Sequence, residues 1–197
     1  MNLSDGEYAV PPGKLVEVVT YLEMTVRPGL PEGAGDALRR VPAPDPGWYR
    51  ALFRRVGEPW LWFGRLGLDD AALGSALADP GCEIYVAGTA GEEIGLVELD
   101  RKNPAEVEIV YFGLVPEAVG RRLGRGLMEA ALAHAWRPET RRVWLHTCQF
   151  DHPGAYRFYL RAGFVPYATR IVVGDDPRVS GFLPPGAAPQ VPLVPRR

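Results

Sequence analysis

Apolar positions along this chain switch between two periods, and the switches mark out its elements. Leu15-Val16-Glu17-Val18-Val19-Thr20-Tyr21-Leu22-Glu23-Met24 is rich in β-branched residues and lies between Pro-Pro-Gly and Arg-Pro-Gly, so it reads as a strand. Residues 25–47 hold many Pro and Gly and are expected as a connection. Trp48, Leu52 and Val56 recur at i, i+4 and i+8, the spacing of a short amphipathic helix that Asp45 is placed to cap. A second short helix is expected from Asp69 or Asp70 to Leu77, ending before Asp79-Pro80-Gly81.

Three strand-like runs follow, 83–87, 93–98 and 106–115, separated by turn signals at Gly88, Gly91 and Asn103-Pro104, which predicts an antiparallel meander. From Leu123 to Ala135 the period returns to 3.6, and 143–147 is again strand-like, so a crossover to a parallel neighbour is expected. Ala155–Ala162 reads as a short helix stopped at Gly163, and 164–173 as a last strand. Six prolines between Gly174 and Arg197 exclude regular helix or central strand there. The expectation is one α+β domain over 1–173, with a mixed, mostly antiparallel sheet flanked by helices, and a Pro-rich tail over 174–197 laid on its body.

With 197 residues, 47% of them apolar, the chain is long enough for one substantial core. A formal charge of −2 gives no general attraction for polyanions. Neither nucleic acid nor a membrane is expected as partner; the cluster Arg121, Arg122, Arg125 suits one anionic ligand instead. The first residues lack a basic or apolar leader, and no apolar run approaches the roughly 18 residues of a membrane span. Cys82 and Cys148 make no CxxC pair and, with three scattered histidines, no metal-ligand spacing, so a reduced, cytoplasmic protein without metal is expected.

One turn carries candidate chemistry. Gly120-Arg121-Arg122-Leu123-Gly124-Arg125-Gly126 leads from a strand into a helix, where backbone N–H groups and the helix dipole can face a phosphate. There is no GxxxxGK[ST], and GxGxxG does not follow a first strand, so nucleotide hydrolysis and dinucleotide binding drop out. The run resembles the cofactor loop of the GNAT family of N-acetyltransferases, written Arg or Gln, two residues, Gly, one residue, Gly or Ala, and entered here by Leu114-Val115-Pro116-Glu117. Arg121-x-x-Gly124-x-Gly126 fits that pattern literally, while spacing from Pro116 and the helix favours Val119-x-x-Arg122-x-Gly124. In the second register Val119 and Arg122 depart from the pattern, and Arg122 is expected to be helical or extended, or pyrophosphate binding to be weakened. A second block, Ala155-Tyr156-Arg157-Phe158-Tyr159-Leu160-Arg161-Ala162-Gly163-Phe164, resembles the family's late helix and turn. The blocks 21–24 and 144–148 are similar to those of a bacterial subgroup.

The resemblance, over about residues 83–170, implies a sheet with splayed middle strands and transfer of the acetyl group of acetyl-CoA to a primary amine by direct attack. The acceptor would be a small-molecule or protein amine, and a homodimer stays open. Glu108 is implied as base, with Glu106 as fallback, and Tyr159 as the proton donor to the thiolate. Phe112, Gly113, Leu114 and Val115 would run beside pantetheine and hold the oxyanion. Gly120, Arg121, Arg122, Leu123, Gly124 and Arg125 would hold the phosphates, and His152, where relatives have Asn, would touch the cofactor.

A regular strand would set Glu106, Glu108, Val110 and Phe112 on one face, and Gly113 is a candidate bulge. Cys148 and His146 are expected as buried sheet residues. One or two of Trp48, Tyr49, Trp60, Trp62 and Phe63 are expected at an acceptor pocket. The competing reading is a non-catalytic acyl-CoA-binding or sensor module.

Overall fold

The computed structural model describes residues 4–195. Seven strands form one sheet: β1 (Lys14–Met24), β2 (Arg39–Arg40), β3 (Cys82–Thr89), β4 (Glu92–Asp100), β5 (Glu106–Leu114), β6 (Arg142–Thr147) and β7 (Val165–Asp175), in the order β2-β3-β4-β5-β6-β1-β7. Every pairing is antiparallel except β5 with β6. Four helices cover it: α1 (Pro46–Gly57), α2 (Asp70–Ala78), α3 (Leu123–Ala135) and α4 (Ala155–Arg161). The connection expected over 25–47 also holds β2, which pairs Arg39 and Arg40 with Val86 and Tyr85.

Local chemistry explains the helix starts. Asp45 accepts from the Trp48 N–H at 2.8 Å and Asp69 from the Ala72 N–H at 2.8 Å, each satisfying an orphan donor of the first turn. α1 then turns Tyr49, Leu52, Phe53 and Val56 inward, all at most 3% exposed. Each such side chain contributes about 1.5–3 kcal/mol when fully buried.

Two cores lie on opposite faces of the sheet. One packs α3 and the α4 residue Tyr159 on Leu22, Val97, Leu99, Val107, Ile109, Val143 and Leu145. The other packs α1 and α2 on Ile84, Val86 and Leu96, and takes in Leu183, Ala187, Ala188 and Val191 from the Pro-rich segment. That segment is anchored by an ion pair: Arg178 and Asp176 meet at 2.7 Å, and the guanidinium also donates to the carbonyls of Ala187, Ala188, Val191 and Pro192. The last two residues of the expected tail, and the first three of the chain, lie outside the described residues.

A bulge decides which side chains of β5 share a face. Glu98 of β4 opposes Tyr111, but Leu99 opposes Ile109, so Val110 is the extra residue. The phase of the strand reverses there. Val107 and Ile109 join the α3 core together with Phe112, while Tyr111 packs in the α1 core. The single face expected for Glu106, Glu108, Val110 and Phe112 is therefore broken, because Phe112 crosses to the other side. Gly113 is not the bulge. Its hydrogen stands where a Cβ would meet Val56 Cγ1 at 2.5 Å and Trp62 Cη2 at 3.1 Å.

Candidate active site

β5 and β6 pair only over Glu106↔Arg142, Val107↔Val143 and Glu108↔Trp144. Beyond that point β5 continues against β4 through Leu114, so its edge toward β6 is unpaired and the sheet is split. At the split lies a cavity of about 230 Å³. Its walls come from β5 (Ile109, Val110, Tyr111, Phe112), from β6 and the turn after it (Leu145, His146, Cys148, Phe150, Asp151), from Leu15 and Glu17 of β1, from Trp60–Gly64, and from Tyr159.

The loop carrying Trp60–Gly64 is fastened from two sides. Arg65 forms an ion pair with Glu98, a carboxylate 1% exposed that also accepts from the Tyr49 hydroxyl at 2.5 Å. From the other side, Gln190 donates to the Pro59 carbonyl at 2.7 Å and Phe182 stacks on Phe63 with centroids 6.5 Å apart. The Pro-rich segment thus braces a cavity wall. Gly113→Ala tests the tightness of that wall: the Cβ must displace Trp62 or Val56, so a loss of about 1–3 kcal/mol in chemical denaturation is expected.

Of the two carboxylates weighed as base, Glu106 lies with its side chain 52% exposed, 3.6 Å from Arg142, away from the cavity. Glu108 is only 20% exposed and stands 3.3 Å from Nδ1 of His146. His146, not Glu108, lines the cavity. The hydrogen bond to Glu108 raises the imidazole pKa above its usual value, against the opposing effect of burial. His146 is thus half exposed on the wall rather than buried in the sheet, because residues 144 and 146 alternate onto the face that α1 and α2 leave uncovered.

Cys148 also reaches the cavity, with its thiol pushed up to about 12, chiefly by burial, so it is no thiolate at neutral pH. Tyr159 is 8% exposed, T-shaped against Phe112 at 6.3 Å and Phe164 at 6.3 Å. Burial raises its phenol pKa well above the ordinary value, with the Asp151 charge adding to it, which keeps the proton on. Of the five aromatics considered, Trp60, Trp62 and Phe63 line the cavity. Tyr49 is in the α1 core, and Trp48 packs against that core.

At the Gly-rich turn, α3 begins with no side-chain cap. Gly120 has φ 81° and Arg122 φ 63°, so Arg122 is left-handed rather than helical or extended. A non-glycine residue costs roughly 1–2 kcal/mol there. Arg121, Arg122, Leu123 and Arg125 are exposed, and the Arg125 guanidinium pairs with Glu129 at 2.8 Å. Among the described residues, no atom beyond the chain neighbours lies within 4 Å of where a Cβ at Gly120 would stand, and at Gly124 the nearest side chain is Phe158, at 3.6 Å. Uncapped amides, missing Cβ atoms and exposed arginines together fit a diphosphate. Val115 contributes least to the gap, since its N–H donates to Ile94 and its carbonyl accepts from Ala118. Leu114 packs at the junction of both cores. His152 accepts from the Gly154 N–H and lies edge-on to Trp60 at 5.3 Å, just outside the cavity.

The mixed α+β sheet with its flanking helices matches solved GNAT structures in fold. The profile of the "Acetyltransferase (GNAT) family" matches residues 45–164, and the chain belongs to that family. It is 32% identical over 167 residues to the mycothiol acetyltransferase of Cellulomonas flavigena, covering 78% of this chain and 44% of that protein. The chain thus spans less than half the length of this curated relative. A putative GNAT acetyltransferase from Novosphingobium aromaticivorans superposes with TM-score 0.59 at 19% identity, over 86% of this chain and 71% of its own. A GCN5-related N-acetyltransferase from Sphaerobacter thermophilus gives 0.57 at 19% identity, over 81% and 52%. These two likenesses concern the fold. Among the described residues, no helix is long and apolar enough to cross a membrane, and no group of three or more His, Cys, Asp or Glu is arranged to hold a metal ion.

Proposed function

We propose that this chain transfers the acetyl group of acetyl-CoA to a primary amine by direct attack, with His146 as the base and Glu108 as the carboxylate that orients it. The observation that carries this reading is the 3.3 Å contact between Glu108 and His146 Nδ1 at the mouth of the split between β5 and β6. Nδ1–H donates to Glu108, which leaves Nε2 as the proton acceptor toward the cavity. Acetyl-CoA would lie as an extended chain against the unpaired edge of Ile109–Leu114, its diphosphate at Gly120–Arg125, with His152 beside it.

The amine gives its proton to His146 and attacks the thioester carbonyl. Backbone N–H groups of the free β5 edge hold the oxyanion, and the C–S bond breaks as Tyr159 protonates the departing thiolate. Cys148 takes no covalent part, since its thiol stays protonated. Tyr159→Phe is expected to lower kcat by on the order of 10², with acetyl-CoA affinity unchanged. Calorimetry with acetyl-CoA, and release of free CoA thiol in the presence of amines, test the proposal. Absence of acetyl-CoA binding overturns it; binding with no CoA release at any amine favours a sensor module.

A further inference from the structure

Within the cavity the charges are one-sided. Glu17 and Asp151 both line it, and none of its lining residues is Lys or Arg. Neither carboxylate has a basic ion-pair partner among the described residues other than the charge of His146 nearby. Asp151 is held in place through one oxygen only: its Oδ2 accepts from the Thr147 hydroxyl at 2.6 Å and from the Cys148 N–H at 3.0 Å. Burial holds the Glu17 pKa above the usual carboxylate value, against the opposing effect of the Cys148 thiol. An ionised carboxylate taken out of water without a cation is costly. Glu98, by contrast, is compensated by Arg65, and Glu83 by Arg101 and Arg137. The fold supplies cations to its structural carboxylates and withholds them here.

The rest of the wall points the same way. Trp60, Trp62, Phe63, Tyr111 and Phe150 line the same cavity as the two acids. Ring faces attract cations and offer nothing to a carboxylate. At about 230 Å³ the cavity is smaller than the 300–1,000 Å³ common for drug-sized ligands, so it fits a compact acceptor rather than a folded protein surface.

We infer that the acceptor is a small amine carrying a second positive charge: the reacting amine at His146, the other cation on Glu17 and Asp151 within the aromatic wall. This inference rests on the proposed acetyltransferase reading and narrows its substrate to compact dications.

The test compares putrescine, butylamine and γ-aminobutyrate, which share four carbons and differ in the far group: ammonium, methyl or carboxylate. Calorimetry with acetyl-CoA alone comes first. If acetyl-CoA does not bind, the acetyltransferase reading itself fails, whatever the amines do. Given binding, kcat/KM for putrescine is expected to exceed that for butylamine by roughly 10- to 100-fold, the value of a charge-assisted contact, with γ-aminobutyrate slowest. The isosteric double variant Glu17→Gln, Asp151→Asn should bring the putrescine-to-butylamine ratio toward one. Because both amines use the same His146, any change in its basicity cancels from that ratio. Equal rates with putrescine and butylamine, a preference for γ-aminobutyrate, no turnover of any of the three despite acetyl-CoA binding, or an unchanged ratio in a folded double variant would each overturn the dication inference.

Discussion

His146→Asn is expected to lower kcat/KM by about 10²–10⁴, the usual contribution of a positioned general base, while acetyl-CoA binds as before. Asparagine keeps polarity and approximate size at the wall but cannot take up a proton. Glu108→Gln is the informative companion. Glu108 is the largest cause of the raised His146 pKa, so its neutral isostere should move the acidic limb of the kcat/KM profile to lower pH. A limb that stays in place would show that another group is titrating, and an unchanged rate in His146→Asn would remove the base assignment. The same pair affects folding in a defined direction. The stability it adds is fully present below the ordinary imidazole pKa and is lost as pH rises through the raised value.

Arg178→Met carries the largest expected cost in stability, about 3–5 kcal/mol, because it leaves the Asp176 carboxylate buried without its cation. Burial alone would raise that carboxyl; the hydrogen bonds and charge of Arg178 outweigh it and hold it below the usual aspartate range. Its contribution is therefore present above the unfolded aspartate pKa and lost as pH falls through the lower folded value. Urea denaturation at neutral pH should show the full loss, and at strongly acidic pH the gap between wild type and variant should close. The carbonyls of Ala187, Ala188, Val191 and Pro192 lose their donor as well, so the brace of Gln190 and Phe182 on the aromatic loop loosens. In acetyl transfer, KM for the amine should rise more than KM for acetyl-CoA. Unchanged stability would mean that the segment is held by its apolar residues alone.

Much of this framework was legible from local sequence. The 3.6 period bounded α3 at Leu123 and Ala135, and Asp45 and Asp69 announced the starts of α1 and α2, because caps and periodicity act within a few residues. Glu108 and Tyr159 stood out by motif, and both lie at or directly behind the cavity. What escaped depends on contacts between distant segments. His146 meets Glu108 only through the parallel register that sets Glu108 opposite Trp144; alternation of residues 144, 146 and 148 after the crossover was the available signal. Arg122 is left-handed because the turn into α3 imposes it, whatever the cost to an arginine. Prolines in the last segment excluded regular structure but carried no information about Arg178, whose carbonyl partners are met only once the segment has folded back.

The extra residue at Val110 has a further consequence. Were Val110 kept but taken into regular pairing, no side chain would change chemically, yet Tyr111 and Phe112 would exchange sides of the sheet. The phenol that now packs with Phe53 and Trp62 under the aromatic loop would point into the α3 core, and the ring that backs Tyr159 would leave it. The acceptor wall and the donor-side wall are thus set by the pairing register rather than by any residue's identity. Deleting Val110 would remove the bulge and leave Tyr111 and Phe112 on their present sides, so the site depends on the unpaired position being kept out of the ladder rather than on its side chain.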